Sequence, residues 1–594
     1  MNEVLELLIP YTKRHKKEFL GLNISIISAA IAQALIPLKI SSIIDNGLIH
    51  RNKQVLYSGF FILLLLTMMD FMSQMGQRLF SNRYSNGVIY DIRQDLYVAL
   101  QYQEIEYYSS ETIGQIMARS IEEVLALREL LTWGYRITGL LTFLFITSFI
   151  AMVGISLPLS LVFLLLPVLL YRYVTGSSQR NVKLFYDARV KYGDLNDSLA
   201  EDLTGIKTVK SFGRELEQIA IFNVKNQEFF DASMKTVKIR SSLQAGAIFL
   251  ISIGLVILVF LGGILLDQNQ LTPGEYVAFM LLVLQITVPG RFTGWIGIIL
   301  QNAQSAAIRL NEIFNAPVAI QEKIDPQSLQ NFSGNIKFEN VSFKYPAAKN
   351  FANAHTLHEI NLEIPAGQKV ALLGPTGSGK SSLINLIPRF FDPIEGRVLV
   401  DGIDLKHISL KSLRGQIGIV HQEAFLFTLS LHDNIAFGRS NATREQVIEA
   451  AKAAQIHEYI MTLEDGYDTI VGERGVTLSG GQRQRVTIAR TLLHNPKILI
   501  FDDSVSAVDP ETEAKIQESL ESASSSRTTI IISQRPSSLK YVDRIIVLDK
   551  GRIVQDGTHS ELMKEDNIYK DFINAVETQI KFFDWSQKIE EPET

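Results

Sequence analysis

The stretch Lys497-Ile-Leu-Ile-Phe-Asp-Asp-Ser-Val-Ser-Ala-Val-Asp509 decides how the rest of the chain is read. Its apolar run, Ile498 to Phe501, ends in two adjacent carboxylates, Asp502 and Asp503. Such a run closed by acids predicts a buried parallel strand that delivers charge at its C-terminal edge. Charge in that place is costly unless a cation or a reaction uses it. Upstream, Gly374-Pro-Thr-Gly-Ser-Gly-Lys380-Ser381 matches the phosphate-binding pattern G-x-x-x-x-G-K-[ST]. Between the two lies Leu478-Ser-Gly-Gly-Gln482.

Val370-Ala-Leu-Leu373 reads as a short apolar strand running into the glycine loop. Gly374, Gly377 and Gly379 allow backbone shapes and close approaches that side chains would block. Thr376 and Ser378 fill the loop, and Ser382 follows it into a helix. Successive N–H groups and the helix start then surround phosphate oxygens. The motif assigns Lys380 to the β- and γ-phosphates and Ser381 to Mg²⁺. A glycine loop alone also occurs in kinases and GTPases.

Glycine loop, Leu478 to Gln482 and acidic strand, in that order, resemble the nucleotide-binding domain of an ABC transporter. The resemblance implies ATP with Mg²⁺ as ligands. It implies that Ser479, Gly480, Gly481 and Gln482, the family's signature, act in trans on a partner chain's ATP. Tyr345 resembles the aromatic that stacks on adenine, Gln422 the glutamine that contacts Mg²⁺, and Asp502 the acid of the Mg²⁺ shell. Asp509 resembles the loop acid that touches the partner domain, and Gly472-Glu-Arg-Gly475 a segment found in exporters. Taken singly, Tyr345 also fits a strand-face tyrosine, and Gln422 a solvated glutamine.

Two positions depart from the family pattern. Asp503 stands where a glutamate orients and deprotonates the attacking water. Gln534, in Ile-Ile-Ile-Ser-Gln-Arg535, stands where a histidine contacts the γ-phosphate. An aspartate carboxylate sits about 1 Å further back, and a shift of that size costs ~10²-fold in rate. Glutamine hydrogen-bonds to phosphate but cannot acquire a positive charge. Both losses fall on the transition state and spare ATP binding. This resembles the degenerate subunit of a heterodimeric multidrug-type exporter, whose partner supplies the missing glutamate and histidine. The alternatives are a homodimer with slow aspartate-based hydrolysis and a regulatory ATP-binding membrane protein, such as a gated pore.

With 594 residues the chain is too long for one domain. Its formal net charge of −5 argues against a nucleic-acid partner. The absence of cysteine excludes disulfides, thiolate metal sites and cysteine nucleophiles. The first half is rich in apolar runs. A spanning helix needs roughly 20 apolar residues, and candidate spans lie near 19–42, 55–77, 132–153, 156–175, 243–266 and 275–299. Ahead of them, Met1 to Lys17 fits a helix on the membrane surface or a basic flank to the first span. A signal peptide ending near Ala32-Gln33-Ala34 is a weaker reading, because further spans follow.

The connections after Val153 and Leu266 are short and free of Lys and Arg, whereas Arg78 to Leu131 and Ser177 to Leu243 are long and basic. The positive-inside rule therefore places both termini, both long segments and the second half in the cytoplasm, here of a bacterial plasma membrane. Within the long segments, apolar residues keep helical spacing and Gly and Pro are scarce. The spans are thus expected to continue as helices, about 25 residues adding roughly 35–40 Å. Breaks are expected at Tyr107 to Gly114 and Thr204 to Gly213, where the family resemblance places coupling helices.

Asp70 falls inside the second span, and an ionisable group at that depth is a functional suspect by default. It is expected to belong to the transport path or to pair with Arg136 or Arg291. Gln33, Gln74, Gln77 and Gln285 are candidates for the same cavity. The expected organisation is a six-span membrane α-helical domain over 1–314 and a linker over 315–335. An α/β P-loop ABC ATPase domain follows over 336–575, then a tail over 576–594. The expected partners are a second half-transporter, membrane lipid and a transported drug, lipid or peptide.

Overall fold

The computed structural model describes residues 2–575 apart from 111–112, 291–292, 317–319, 321, 324, 330–331, 346–355, 473–474, 476, 504–511, 513–514, 517–526, 534–538, 540–541 and 565. The chain forms two compact units. One is Met1–Gln101 with Gly114–Ala316, and the other is Tyr102–Ile113 with Pro317–Thr594.

The first unit is helical. It opens with α1 (Asn2–Arg14) and α2 (Lys16–Ser42), which widens into a π-helical turn over Ile43–Ile49. Next come α3 (Lys53–Gln101), α4 (Tyr135–Ile155), α5 (Leu157–Thr204), α6 (Glu215–Asp267), α7 (Pro273–Gly290) and α8 (Thr293–Phe314). Every apolar stretch read as a span falls on these helices. Among the described residues, Lys16–Ile49, Lys53–Gln101, Arg119–Ile155 and Glu215–Asp267 are long and apolar enough to cross a membrane. Leu157–Leu170 and Pro273–Ile286 are shorter apolar pieces.

The expected extensions are present. Helices α3, α5 and α6 hold 49, 48 and 53 residues, which is about 72–80 Å of helix against a hydrocarbon layer of about 30 Å. Between α5 and α6 the chain breaks into a short helix, Ile206–Phe212. Gly213 ends it at φ +62°, a backbone shape that glycine adopts without a Cβ penalty.

Helix α1 buries Val4, Leu7, Leu8 and Tyr11, a stripe at helical spacing. After it, Arg14 and His15 reach Asp91 of α3 at 3.6 and 3.2 Å. At the other end of α2, the Asp45 carboxylate accepts from Thr272 Oγ1 at 2.6 Å and from the Gly274 amide at 2.8 Å. A Cβ at Gly274 would stand 2.4 Å from the Ser41 carbonyl oxygen, so only glycine fits there.

Most of the second unit is α/β. Its strands are β1 (Ile336–Phe343), β2 (Leu357–Ile364), β3 (Lys369–Leu373), β4 (Glu395–Val400), β5 (Ile403–Asp404), β6 (Ile417–Val420), β7 (Ile498–Asp502), β8 (Thr528–Ile532), β9 (Arg544–Asp549) and β10 (Arg552–Gly557). An antiparallel sheet runs β2-β1-β4-β5, and a second sheet runs β10-β9-β3-β8-β7-β6. In the second sheet β9, β3, β8, β7 and β6 are parallel, and β10 closes one edge antiparallel. Ile498 to Phe501 of β7 are all buried, as the apolar run requires. A core of Ile336, Phe338, Leu372, Leu383, Val400 and Ile500 fills the space between the sheets.

Residues 102–113 belong to this unit, although they lie between membrane helices in the chain. Glu104 accepts from the Ile320 amide. A cavity of about 260 Å³ is lined by Glu104, Glu106, Ile320, Phe343, Lys344 and Phe391, among others. Burial pushes the Glu106 carboxyl up, and the neighbouring Glu104 charge adds to the effect.

Candidate functional site

The glycine loop connects β3 to helix α9 (Lys380–Leu386). Its glycines take positive φ: +146° at Gly374, +83° at Gly377 and +103° at Gly379. Gly374 is required for a second reason, since a Cβ there would lie 2.0 Å from the Leu548 carbonyl oxygen. The loop therefore packs against the turn between β9 and β10, where the Gly551 amide donates to the Ser378 carbonyl at 3.0 Å. Thr376 and Gly377 are exposed at the loop's crest, while Ser378, Gly379 and Ser382 are buried.

Lys380 lies within this loop at 9% exposure. Its ammonium donates to the carbonyls of Gly374 at 2.8 Å and Pro375 at 2.9 Å, and to Ser378 Oγ at 3.4 Å. Burial pushes the ammonium's pKa down, and the carboxylates of Asp502 and Asp503 oppose it. The strand register brings those acids near. β7 lies beside β8, and β8 beside β3, so the ends of β3 and β7 emerge on one edge. Ser381 Oγ donates to Asp502 Oδ1 at 3.4 Å.

Burial raises the Asp502 carboxyl, with His421, Ser381 and Lys380 pulling it back. His421 keeps an accessible edge, yet burial in the cleft lowers its imidazole while Asp502 opposes. The sequence reading missed this residue. Its place directly before Gln422, at the end of β6, was the available signal. Gln422 itself is exposed, and the His421 carbonyl is held by Gln484 Nε2 at 3.0 Å.

Asp503 follows β7 with φ +45°, a left-handed region that aspartate tolerates better than most residues. Its amide donates to the Ile532 carbonyl at 2.9 Å. Tyr345 lies just past β1. Its ring meets Phe343 at 4.8 Å and Phe391 at 5.2 Å, both edge-on, and its hydroxyl is 3.1 Å from Ser382 Oγ. Phe343 and Phe391 thus back Tyr345 and also line the cavity beside residues 102–113.

Ser479 caps helix α10 (Gly480–His494). Its hydroxyl accepts from the Gln482 amide at 3.3 Å, and its own amide donates to Gln482 Oε1 at 2.8 Å. This reciprocal box satisfies two donors that a helix start otherwise leaves open. Ser479 and Gly480 are exposed and Gly481 is partly so. The remaining amides of the first turn stand ready for an anion.

Comparison with known proteins agrees with this arrangement. Residues 357–506 match the ABC transporter family model, and residues 19–289 match the ABC transporter transmembrane region. The chain belongs to the ABC transporter family. It is similar to the uncharacterized ABC transporter ATP-binding protein YknU of Bacillus subtilis (strain 168), 36% identical over 96% of each chain. It is also similar to a putative multidrug export ATP-binding/permease protein of Staphylococcus aureus (strain NCTC 8325 / PS 47), 36% identical over 82% of this chain and 83% of that one. A solved structure of a bacterial Atm1-family ABC exporter with ATP bound superposes with a TM-score of 0.82 at 26% identity, covering 94% and 99% of the two chains.

The protein is therefore a multi-pass membrane ABC exporter with a helical membrane domain followed by an ABC ATPase domain, and that domain binds ATP. Mg²⁺ fits the donor set. Ser381 and Asp502 offer hard oxygens beside the loop, and the ion ordinarily takes one or two carboxylates together with nucleotide phosphates. When bound, it neutralises charge on those phosphates. Gln534 and Asp509 lie outside the described residues, as does the middle of the Gly472 to Gly475 segment.

In the membrane domain the ion pair between Asp70 and Arg136 is not formed. Asp70 instead accepts from Gln33 Nε2 at 2.9 Å and Gln74 Nε2 at 2.7 Å. Arg136 stacks over Trp133 at 4.6 Å. Gln77 is buried and donates to the Ser25 carbonyl at 3.3 Å, away from Asp70. Arg291, the other expected partner, lies outside the described residues.

Proposed function

We propose that this chain is one half of an ATP-driven exporter, paired with a different half-transporter, and that its own ATP site hydrolyses weakly. The observation that carries this reading is the contrast at the end of β7. Asp502 has a hydroxyl partner and a place beside the phosphate loop, whereas the adjacent position holds a short carboxylate on a left-handed backbone. Gly374, Thr376, Gly377, Ser378, Gly379, Lys380 and Ser382 bind the phosphates, Tyr345 the adenine, and Ser381, Asp502 and Gln422 the Mg²⁺. Asp503 and Gln534 occupy the catalytic positions without the reach or the charge that fast hydrolysis needs.

The signature residues Ser479, Gly480, Gly481 and Gln482 serve the partner's site, and Asp509 touches the partner domain. Both termini and the ATPase domain face the cytoplasm of a bacterial plasma membrane. The cargo is a small molecule of the multidrug kind, in keeping with what the Staphylococcus aureus relative is named for.

Two measurements test the reading. ATP-dependent dye uptake into inside-out vesicles carrying the assembled transporter is expected, and flux that consumes no ATP would point to a gated pore. The chain expressed alone is expected to bind ATP but turn it over slowly, with the second half restoring activity. Brisk ATPase activity from this chain alone, eliminated by Asp503→Asn, overturns the pairing.

A further inference from the structure

We infer that Asp70, Gln33 and Gln74 form a binding site for lipophilic cations inside the membrane domain; this names the cargo class and rests on the exporter reading above. Gln33 stands midway along the Lys16–Ile49 segment, so its hydrogen bond places the carboxylate at mid-span. Gln74 is one helical turn on from Asp70 and on the same face of α3. The two carboxamides hold the carboxylate between α2 and α3, one on each oxygen.

Neutral donors orient a charge without cancelling it. A carboxylate has about four acceptor directions, and these bonds use two of them. Among the described residues no cationic side chain pairs with Asp70. At mid-span an uncompensated charge is expensive, and the ordinary remedy is a counter-charge.

The neighbouring surface specifies what kind of cation. Phe71, Met72 and Met75 are 65%, 61% and 57% exposed beside Asp70 on α3. An aromatic face attracts cations, and thioethers reshape around varied apolar bodies. Fixed negative charge and an adaptable apolar wall together suit a bulky organic cation. Neither a metal ion, which needs more oxygens, nor an anion fits the set.

The test uses full-length protein in lipid nanodiscs, in the assembly it forms on expression, with tetraphenylphosphonium as probe. Tetraphenylborate has nearly the same size and shape and the opposite charge. Wild type is expected to bind the phosphonium saturably by equilibrium dialysis and to prefer it to the borate. Asp70→Asn should weaken phosphonium binding about tenfold or more, while Asp70→Glu stays within about threefold. Equal phosphonium binding by wild type and Asp70→Asn, or a preference for the borate, overturns the site. Should Asp70→Asn fail to assemble, Gln74→Glu adds a second negative charge and is expected to tighten phosphonium binding about threefold or more; no gain overturns the site. ATP-driven uptake separates the two readings. Asp70-dependent binding without ATP-driven movement sinks the exporter reading and keeps the site, and ATP-driven dye flux with phosphonium binding indifferent to Asp70 does the reverse.

Discussion

The phosphate loop and the signature segment are both helix beginnings built from small residues, and they are organised in opposite ways. In the loop, Lys380 is buried and its ammonium is bonded to the loop's own carbonyls. At the signature, Ser479 and Gly480 are exposed, and the side chains of Ser479 and Gln482 are occupied in bonding each other's backbone. One site is shielded and waits for a ligand to replace internal contacts. The other is already rigid and presents its amides outward. A segment that must act on another chain's ligand cannot borrow order from that ligand, so it carries its own cap.

Substitutions break this contrast with graded effects. Gly481→Asp puts a carboxylate where an anion is to be received. It is expected to lower ATPase activity of the assembled transporter about 10²-fold or more while ATP labelling of this chain persists. Unchanged turnover would mean that the signature serves no site. Lys380→Ala acts on the shielded side, and photo-crosslinking of labelled ATP to this chain should fall about tenfold, the scale of a charge-assisted hydrogen bond. Asp503→Asn should change assembled ATPase activity by about threefold or less, because the group it removes already lies too far back.

The smallest effect concerns stability. Burial raises the Asp502 pKa in the folded chain above its unfolded value. The folded state therefore holds that proton more tightly, and stability falls as pH climbs through the raised value. Without Mg²⁺ and ATP, Asp502→Asn should unfold at a higher temperature than wild type at pH 7. The gap should close below about pH 4, where both are uncharged. Fluorescence-monitored melting across pH checks the sign, with about 2–4 °C corresponding to each 1 kcal/mol.

Much of this architecture was legible in the residues. The span positions and helical extensions followed from apolar runs with few breakers, and the helices bear them out. Glycine positions in the phosphate loop followed from the motif, and each of the three takes positive φ. The cap at Ser479 was also within reach, since a serine followed three residues later by glutamine is a capping-box pattern; reading the stretch only as a trans element obscured it. The Asp70 partnership was not legible. Which residue of α2 faces which residue of α3 depends on helix rotation and register, and Gln33 is 37 positions away in sequence. His421 was hidden for a similar reason, because its tie to Asp502 exists only once β6 and β7 lie side by side.

The membership of Tyr102–Ile113 in the second unit has a practical consequence for anyone who handles the motor apart from its membrane. A soluble fragment beginning after Ala316 is continuous in sequence yet incomplete in space, for it leaves behind the strip that supplies Glu104 to the Ile320 amide and one side of the cavity at Phe343 and Phe391. Those two rings also support Tyr345. Nucleotide affinities measured on such a fragment would describe an adenine platform with water at its back.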